Sequence, residues 1–179
     1  MSISRFNLNI NMLFFLKKSL DYKIDKLQLI ALGKDIQQIE NINECRAQSQ
    51  HIDDCDELEY PLQLGKQGRL GVSIEGKIIN RDQYNSLISK IHIALSDEDF
   101  KSPKWKRKTA ESRTSDNYVL YIKHPNISNC ILILGVISPD AHSRIENDKS
   151  LIQKLINIAN SFTNLDSKNE ILECDNFIS

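Results

Sequence analysis

The sequence predicts an α/β domain of the α+β type, an antiparallel sheet flanked by helices, and three observations predict it. Residues 57–64, ELEYPLQL, alternate apolar and polar positions, and across GKQG they meet a second alternating run at Leu70, Val72 and Ile74. Period two around a glycine turn is the pattern of a β-hairpin. Residues 130–138, CILILGVIS, are apolar almost throughout, as in a central strand covered on both faces. Residues 84–95 and 151–162 space their apolar positions by three and four, the stripe of a helix with one buried face. Strand, turn, strand, helix therefore occurs twice along the chain.

Taken in order, residues 10–20 read as a helix. KLQLIALG at 26–33 fits a strand or the continuation of that helix. Ile36, Ile39 and Ile42 give 34–42 helical spacing, and the polar run 43–56 reads as a loop. Leu58, Tyr60, Leu62 and Leu64 form the first hairpin strand. Pro61 cannot donate to a ladder, so that strand belongs at an edge or carries a bulge. Asn80 is placed to cap a helix that runs through Tyr84, Leu87, Ile88, Ile91, Ala94 and Leu95. YVLYI at 118–122 is a strand, KHPNISN a connection, 130–138 the covered strand, and SPDAHSRIEND a loop. Leu151, Ile152, Leu155, Ile156, Ala159 and Phe162 mark the last helix. The chain reads as one domain over 1–165 with a polar C-terminal tail over 166–179.

Composition bounds the function. Of 179 residues, 40% are apolar, enough for a core, and 26% are charged. The formal net charge of −1 makes the chain a poor general binder of nucleic acid or membranes, so nucleic acid is weighed against as a partner and would need a local patch. Met12 to Leu16 is too short an apolar centre for a secretory signal. No stretch approaches the roughly 20 apolar residues of a membrane span. These observations predict a cytoplasmic protein, or one of an organelle stroma. Cys45, Cys55, Cys130 and Cys174 form no metal-ligating spacing and read as reduced thiols. No cofactor is indicated.

The densest charge feature is KSPKWKRK at 101–108. Lys104, Trp105, Lys106, Arg107 and Lys108 are the candidate contacts to a partner or to phosphate, with Trp105 either stacking on a base or covering the domain edge. His51, His92, His124 and His142 are scattered, and no nucleophile elbow or phosphate loop is present. Catalytic and metal-ligating residues are therefore not assigned. Tyr84, Leu87, Ile88 and Ile91 form the helix face expected to dimerise.

YPLQLGKQGRLGVSIEGKIINRDQYNSLISKIHIAL, Tyr60 to Leu95, resembles the C-terminal third of a GAF domain. Pro61-Leu62, Gly68, Leu70-Gly71-Val72 and the helix from Asn80 follow the family's order, and 131–162 repeats part of it. The resemblance implies a cavity on one sheet face and a regulatory or sensory module that binds a small ligand or a partner protein and signals through its helices. A protein partner or self-association is expected, with a small-molecule ligand as a further expectation. The alternative is a ligand-free interaction adaptor or assembly factor on the same layers, and a third reading is nucleic-acid binding through 101–108. One enzymatic branch of the family reduces methionine sulfoxide with cysteines. Here Asp53, Asp54, Asp56 and Glu57 would raise the pKa of Cys55 and suppress its thiolate, so a non-enzymatic protein is expected.

Overall fold

The computed structural model describes residues 12–21, 26–48, 59–70, 87–106, 109–167, 169–170 and 177–178, with the backbone alone for 12–21, 26 and 177–178. The elements are β1 (Met12–Asp21), α1 (Lys26–Gln48), β2 (Leu64–Arg69), β3 (Ile88–Ile93), α2 (Asp97–Lys101), β4 (Tyr118–Lys123), β5 (Cys130–Ile137), α3 (Ala141–Asn147), α4 (Lys149–Thr163) and β6 (Phe177–Ile178). The strands form one sheet in the order β2-β3-β4-β5-β1-β6. β2 to β5 are antiparallel neighbours, which is the predicted α+β architecture. β1 joins β5 in parallel, and β6 pairs antiparallel with β1.

The helices lie on both faces. Leu32, Ile36 and Ile39 of α1 share one core with Leu64, Ile91, Ile93, Val119, Tyr121, Ile131, Ile133 and Val136. On the other face, Ala141 and Ile145 of α3 and Leu151, Ile152, Leu155, Ala159 and Phe162 of α4 pack on Ile88, Tyr118, Leu120, Ile122, Leu132 and Leu134. β5 alternates between the two cores, so its unbroken apolar run has the reason the sequence suggested: every residue from Cys130 to Ile137 is buried. Gly135 has φ 136°, and the register steps from Leu120↔Gly135 to Tyr121↔Ile133 there. A glycine is what lets β5 bulge at that step without steric cost. No helix among the described residues is long and apolar enough to cross a membrane.

Six expectations are corrected. Residues 12–21 are a strand, not a helix, because they pair with β5, and a partner strand overrides local propensity. Lys26 to Gln48 is one helix, so neither a strand at 26–33 nor a loop from 43 exists. The glycines of GKQG lie within β2, and the chain turns earlier, where the Leu64 N–H donates to Pro61 O (3.3 Å). Gly65 is there for a close approach: a Cβ on it would sit 2.6 Å from Arg113 O. The second strand expected at Leu70, Val72 and Ile74 falls, after Leu70, outside the described residues.

The helix expected over 80–95 is also overturned, because Ile88–Ile93 is strand β3. Ile88 faces one core and Ile91 the other, and two buried faces reproduce the three-residue spacing of a helix. Burying Ile91, which is 0% exposed, contributes about 2 kcal/mol, more than the few tenths that separate helix propensities. The dimer-helix face is thus dissolved: Ile88 and Ile91 are core, Leu87 is 39% exposed ahead of the strand, and Tyr84 lies outside the described residues. Finally, the expected loop at 138–148 contains α3.

Candidate functional site

Register decides which side chains share a face. Ile88, Lys90 and His92 of β3 pair with Ile122, Leu120 and Tyr118 of β4 and point to the α3–α4 side. Ile88 enters the core there, whereas Lys90 and His92 line an open cleft. Lys66, Gly68 and Arg69 of edge strand β2, Lys104 after α2, Thr114 to Asp116 before β4, Tyr118, and His142 in the first turn of α3 complete it. The cleft measures about 600 Å³, room for a nucleotide-sized group.

The wall formed by Lys104 and Thr114 to Asp116 is tied down. Ser96 and Asp99 make a capping box at the start of α2. Asp99 Oδ2 also accepts from Asn117 Nδ2 (3.2 Å), and Asn117 Oδ1 accepts from the Ser138 hydroxyl (2.7 Å). The Ser115 hydroxyl donates to Ile93 O (2.8 Å). These bonds hold the Ser115 backbone against His92, whose Nδ1 lies 2.7 Å from Ser115 O and 3.1 Å from Ser115 N. The contact from the Ser115 N–H needs a lone pair on Nδ1 and the contact to the Ser115 carbonyl needs a proton there; the shorter, to the carbonyl, favours the Nδ1–H tautomer. Nε2 then keeps its lone pair.

Lys66, Arg69, Lys90 and Lys104 place four cations around the cleft. Among the described residues the one acidic side chain in the lining is Asp116, and it has structural partners: its Oδ1 accepts from the His142 N–H (3.2 Å) and its carbonyl from the Ala141 N–H (3.1 Å). Burial lowers the His92 pKa to about 4, and Lys90, His142 and Lys66 push the same way against the Ser115 hydrogen bond. His92 is therefore neutral at physiological pH. Aromatic edges order the floor: the rings of His92 and Tyr118 are 4.6 Å apart and those of Tyr118 and His142 5.3 Å, both T-shaped. Lys90 Nζ sits 4.6 Å over the Tyr118 ring, an arrangement that holds the ammonium in place. Such a site can bind a polyanion and can move a proton.

Of the basic run singled out in the sequence, Lys104 lines the cleft and Lys106 is exposed. Trp105 is 5% exposed and meets Phe100 edge-on at 6.0 Å. It therefore covers the domain edge and offers no face for stacking. Arg107 and Lys108 lie outside the described residues. Sequence reasoning missed Lys66, Arg69 and Lys90 and left His92 and His142 apart; only a period-two reading of 88–93 puts Lys90 and His92 together. Cys45 is disulfide-bonded, against the expectation of reduced thiols, and Cys130 is free and buried. Among the described residues no three His, Cys, Asp or Glu side chains gather as a metal site.

Residues 75–164, half of the chain, match the family described as toxin YafO of a type II toxin–antitoxin system. The matched stretch runs through β3 to α4 and includes every cleft residue except those of β2. No curated protein and no solved structure matches. The match overturns the GAF resemblance, which rested on a glycine turn that is strand and a closing helix that is β3. With it fall the sensory module, the signal-transduction role and the ligand-sensing pocket expected from that family. The chain belongs to the YafO toxin family of type II toxin–antitoxin systems.

Proposed function

We propose that this protein is the toxin of a type II pair and acts as an endoribonuclease at the β2–β3 cleft, in the cytoplasm, restrained by a protein antitoxin. The observation that carries the reading is four cations around one neutral histidine. Cations bind the phosphodiester backbone and stabilise the charge that develops as phosphorus becomes five-coordinate. His92 Nε2, unprotonated because Nδ1 is engaged at Ser115, accepts the proton of a ribose 2′-hydroxyl. The 2′-oxygen bonds to phosphorus, and the bond from phosphorus to the 5′-oxygen breaks. His142, across Tyr118 from His92, gives the leaving 5′-oxygen a proton. The products are a 2′,3′-cyclic phosphate and a 5′-hydroxyl.

Support comes from two independent sides, the family match over 75–164 and the charge of the cleft. The expectation of a non-enzymatic protein is decided by the same measurement. Purified protein is incubated with end-labelled RNA, both free and loaded on ribosomes, and the product ends are identified. Cleavage that His92→Ala slows by about 10²–10⁴-fold supports the reading; RNA left intact in both forms rejects it.

A further inference from the structure

A second cleft, of about 560 Å³, borders the first. The two share Gln67, Gly68 and Arg69 of edge strand β2; the first opens on the α3–α4 face and the second on the α1 face, so a strand of RNA held in one reaches the other by passing round the β2 edge. Their linings differ in kind. The first has Lys66, Lys90 and Lys104 of its own. Arg69 belongs to both; beyond the shared residues the second is lined by Glu40, Asn43, Leu87, Ser89, Lys123, His124 and Pro125, and Lys123 is already paired with Glu44 and, at 3.5 Å, with Glu40. Uncharged hydrogen-bonding groups beside the exposed apolar surface of Leu87, 39% exposed, and of Pro125 suit a planar base with polar edges rather than a phosphate.

The shared rim is rigid. Gln67 Nε2 donates to Glu40 Oε1 (2.9 Å) and to the Tyr121 hydroxyl, and Gln67 Oε1 accepts from Asn43 Nδ2 (2.8 Å). The Tyr121 hydroxyl donates to Glu40 in turn. This network ties β2 to α1 and β4, so Gln67 and its neighbours present a preorganised edge to a ligand. Gly68 adds no side chain at the junction; a Cβ there would point at Lys90 Cε, 3.6 Å away.

We infer that the second cleft is a base-binding subsite, which receives the nucleobase next to the phosphodiester held among Lys66, Lys90 and Lys104. This rests on the ribonuclease reading and adds the source of its sequence preference.

The test uses binding, independent of turnover. 2′-O-methyl hexanucleotides, which lack the attacking hydroxyl, carry one abasic residue moved along the strand, and their affinity is read by fluorescence anisotropy. The expected result is one or two positions at which losing the base weakens binding about tenfold. That sensitivity disappears in Asn43→Ala, on the exposed side of α1, and in Leu87→Asn, outside the core. The inference is overturned if every position tolerates the abasic residue equally, or if the sensitivity survives in both variants. Failure of the intact oligonucleotides to bind at all would instead remove the RNA reading itself.

Discussion

His92 is the residue on which the proposed chemistry turns, and its environment makes two measurable statements. In the folded protein it stays neutral down to about pH 4, whereas the unfolded chain takes up a proton near the ordinary 6.5. The lowered folded value means that stability is intact above 6.5 and is lost as pH falls from there toward 4, by up to about 3 kcal/mol. Urea unfolding at pH 7, 5.5 and 4.5 should show that slope in the wild type and its reduction in His92→Gln. The same shift places the acid limb of RNA cleavage near pH 4 rather than 6.5, which a pH–rate profile reads directly. Around it, the proposed reading makes Lys66 and Lys90 the cations that bind the RNA backbone. Replacing either with Met should weaken single-stranded RNA uniformly across sequences. It should also reduce the slope of log affinity against log salt by about 0.7, as measured by anisotropy over a salt series. An unchanged slope would remove that lysine from the phosphate path.

At the scale of elements, β2 is the piece that turns a sheet edge into a site. Its register with β3 shifts between Leu64 and Gln67, and the irregularity is held from outside: the Lys66 N–H donates to Arg113 O (2.8 Å), and the Tyr60 hydroxyl to Gly65 O (2.7 Å). Gly65→Ala would force a Cβ against backbone at 2.6 Å and should cost about 1–3 kcal/mol and weaken RNA binding through Lys66. Gly68→Ala meets only the flexible end of Lys90 at 3.6 Å and should leave stability within about 1 kcal/mol of wild type. Thermal unfolding of the pair distinguishes a rigid edge from a pliable one. β4, β5 and α4 were legible in the sequence because burial alone dictates their pattern: two covered faces in β4 and β5, one stripe in α4. β2 was not legible, since a glycine required by Arg113 looks the same in sequence as one required by a turn. β3 was misread because Ile88 and Ile91 serve opposite cores. The cleft was hidden for a further reason. Its side chains come from separate segments that only the order β2-β3-β4 and the docking of α3 bring together.

For the whole molecule, an open basic cleft in a chain of net charge −1 is an asymmetric arrangement of charge. The cations of the first cleft gather on the α3–α4 face of the β2 edge, while Glu40 and Glu44 of α1 lie on the opposite face, where Lys123 meets them. That asymmetry is what the proposed reading needs for a nearly neutral protein to hold RNA at a local patch, which total composition left as the one route. It also leaves a cationic edge to which an acidic partner can be drawn. The central claim is that this edge cuts RNA by transferring phosphorus to the 2′-oxygen, and the ends of the cleaved RNA test it most directly. Fragments from free or ribosome-loaded RNA should carry 2′,3′-cyclic phosphate and 5′-hydroxyl ends, and an RNA with 2′-deoxy at the cleaved position should resist. Fragments with 5′-phosphate ends, or equal cutting of the 2′-deoxy substrate, would contradict the account.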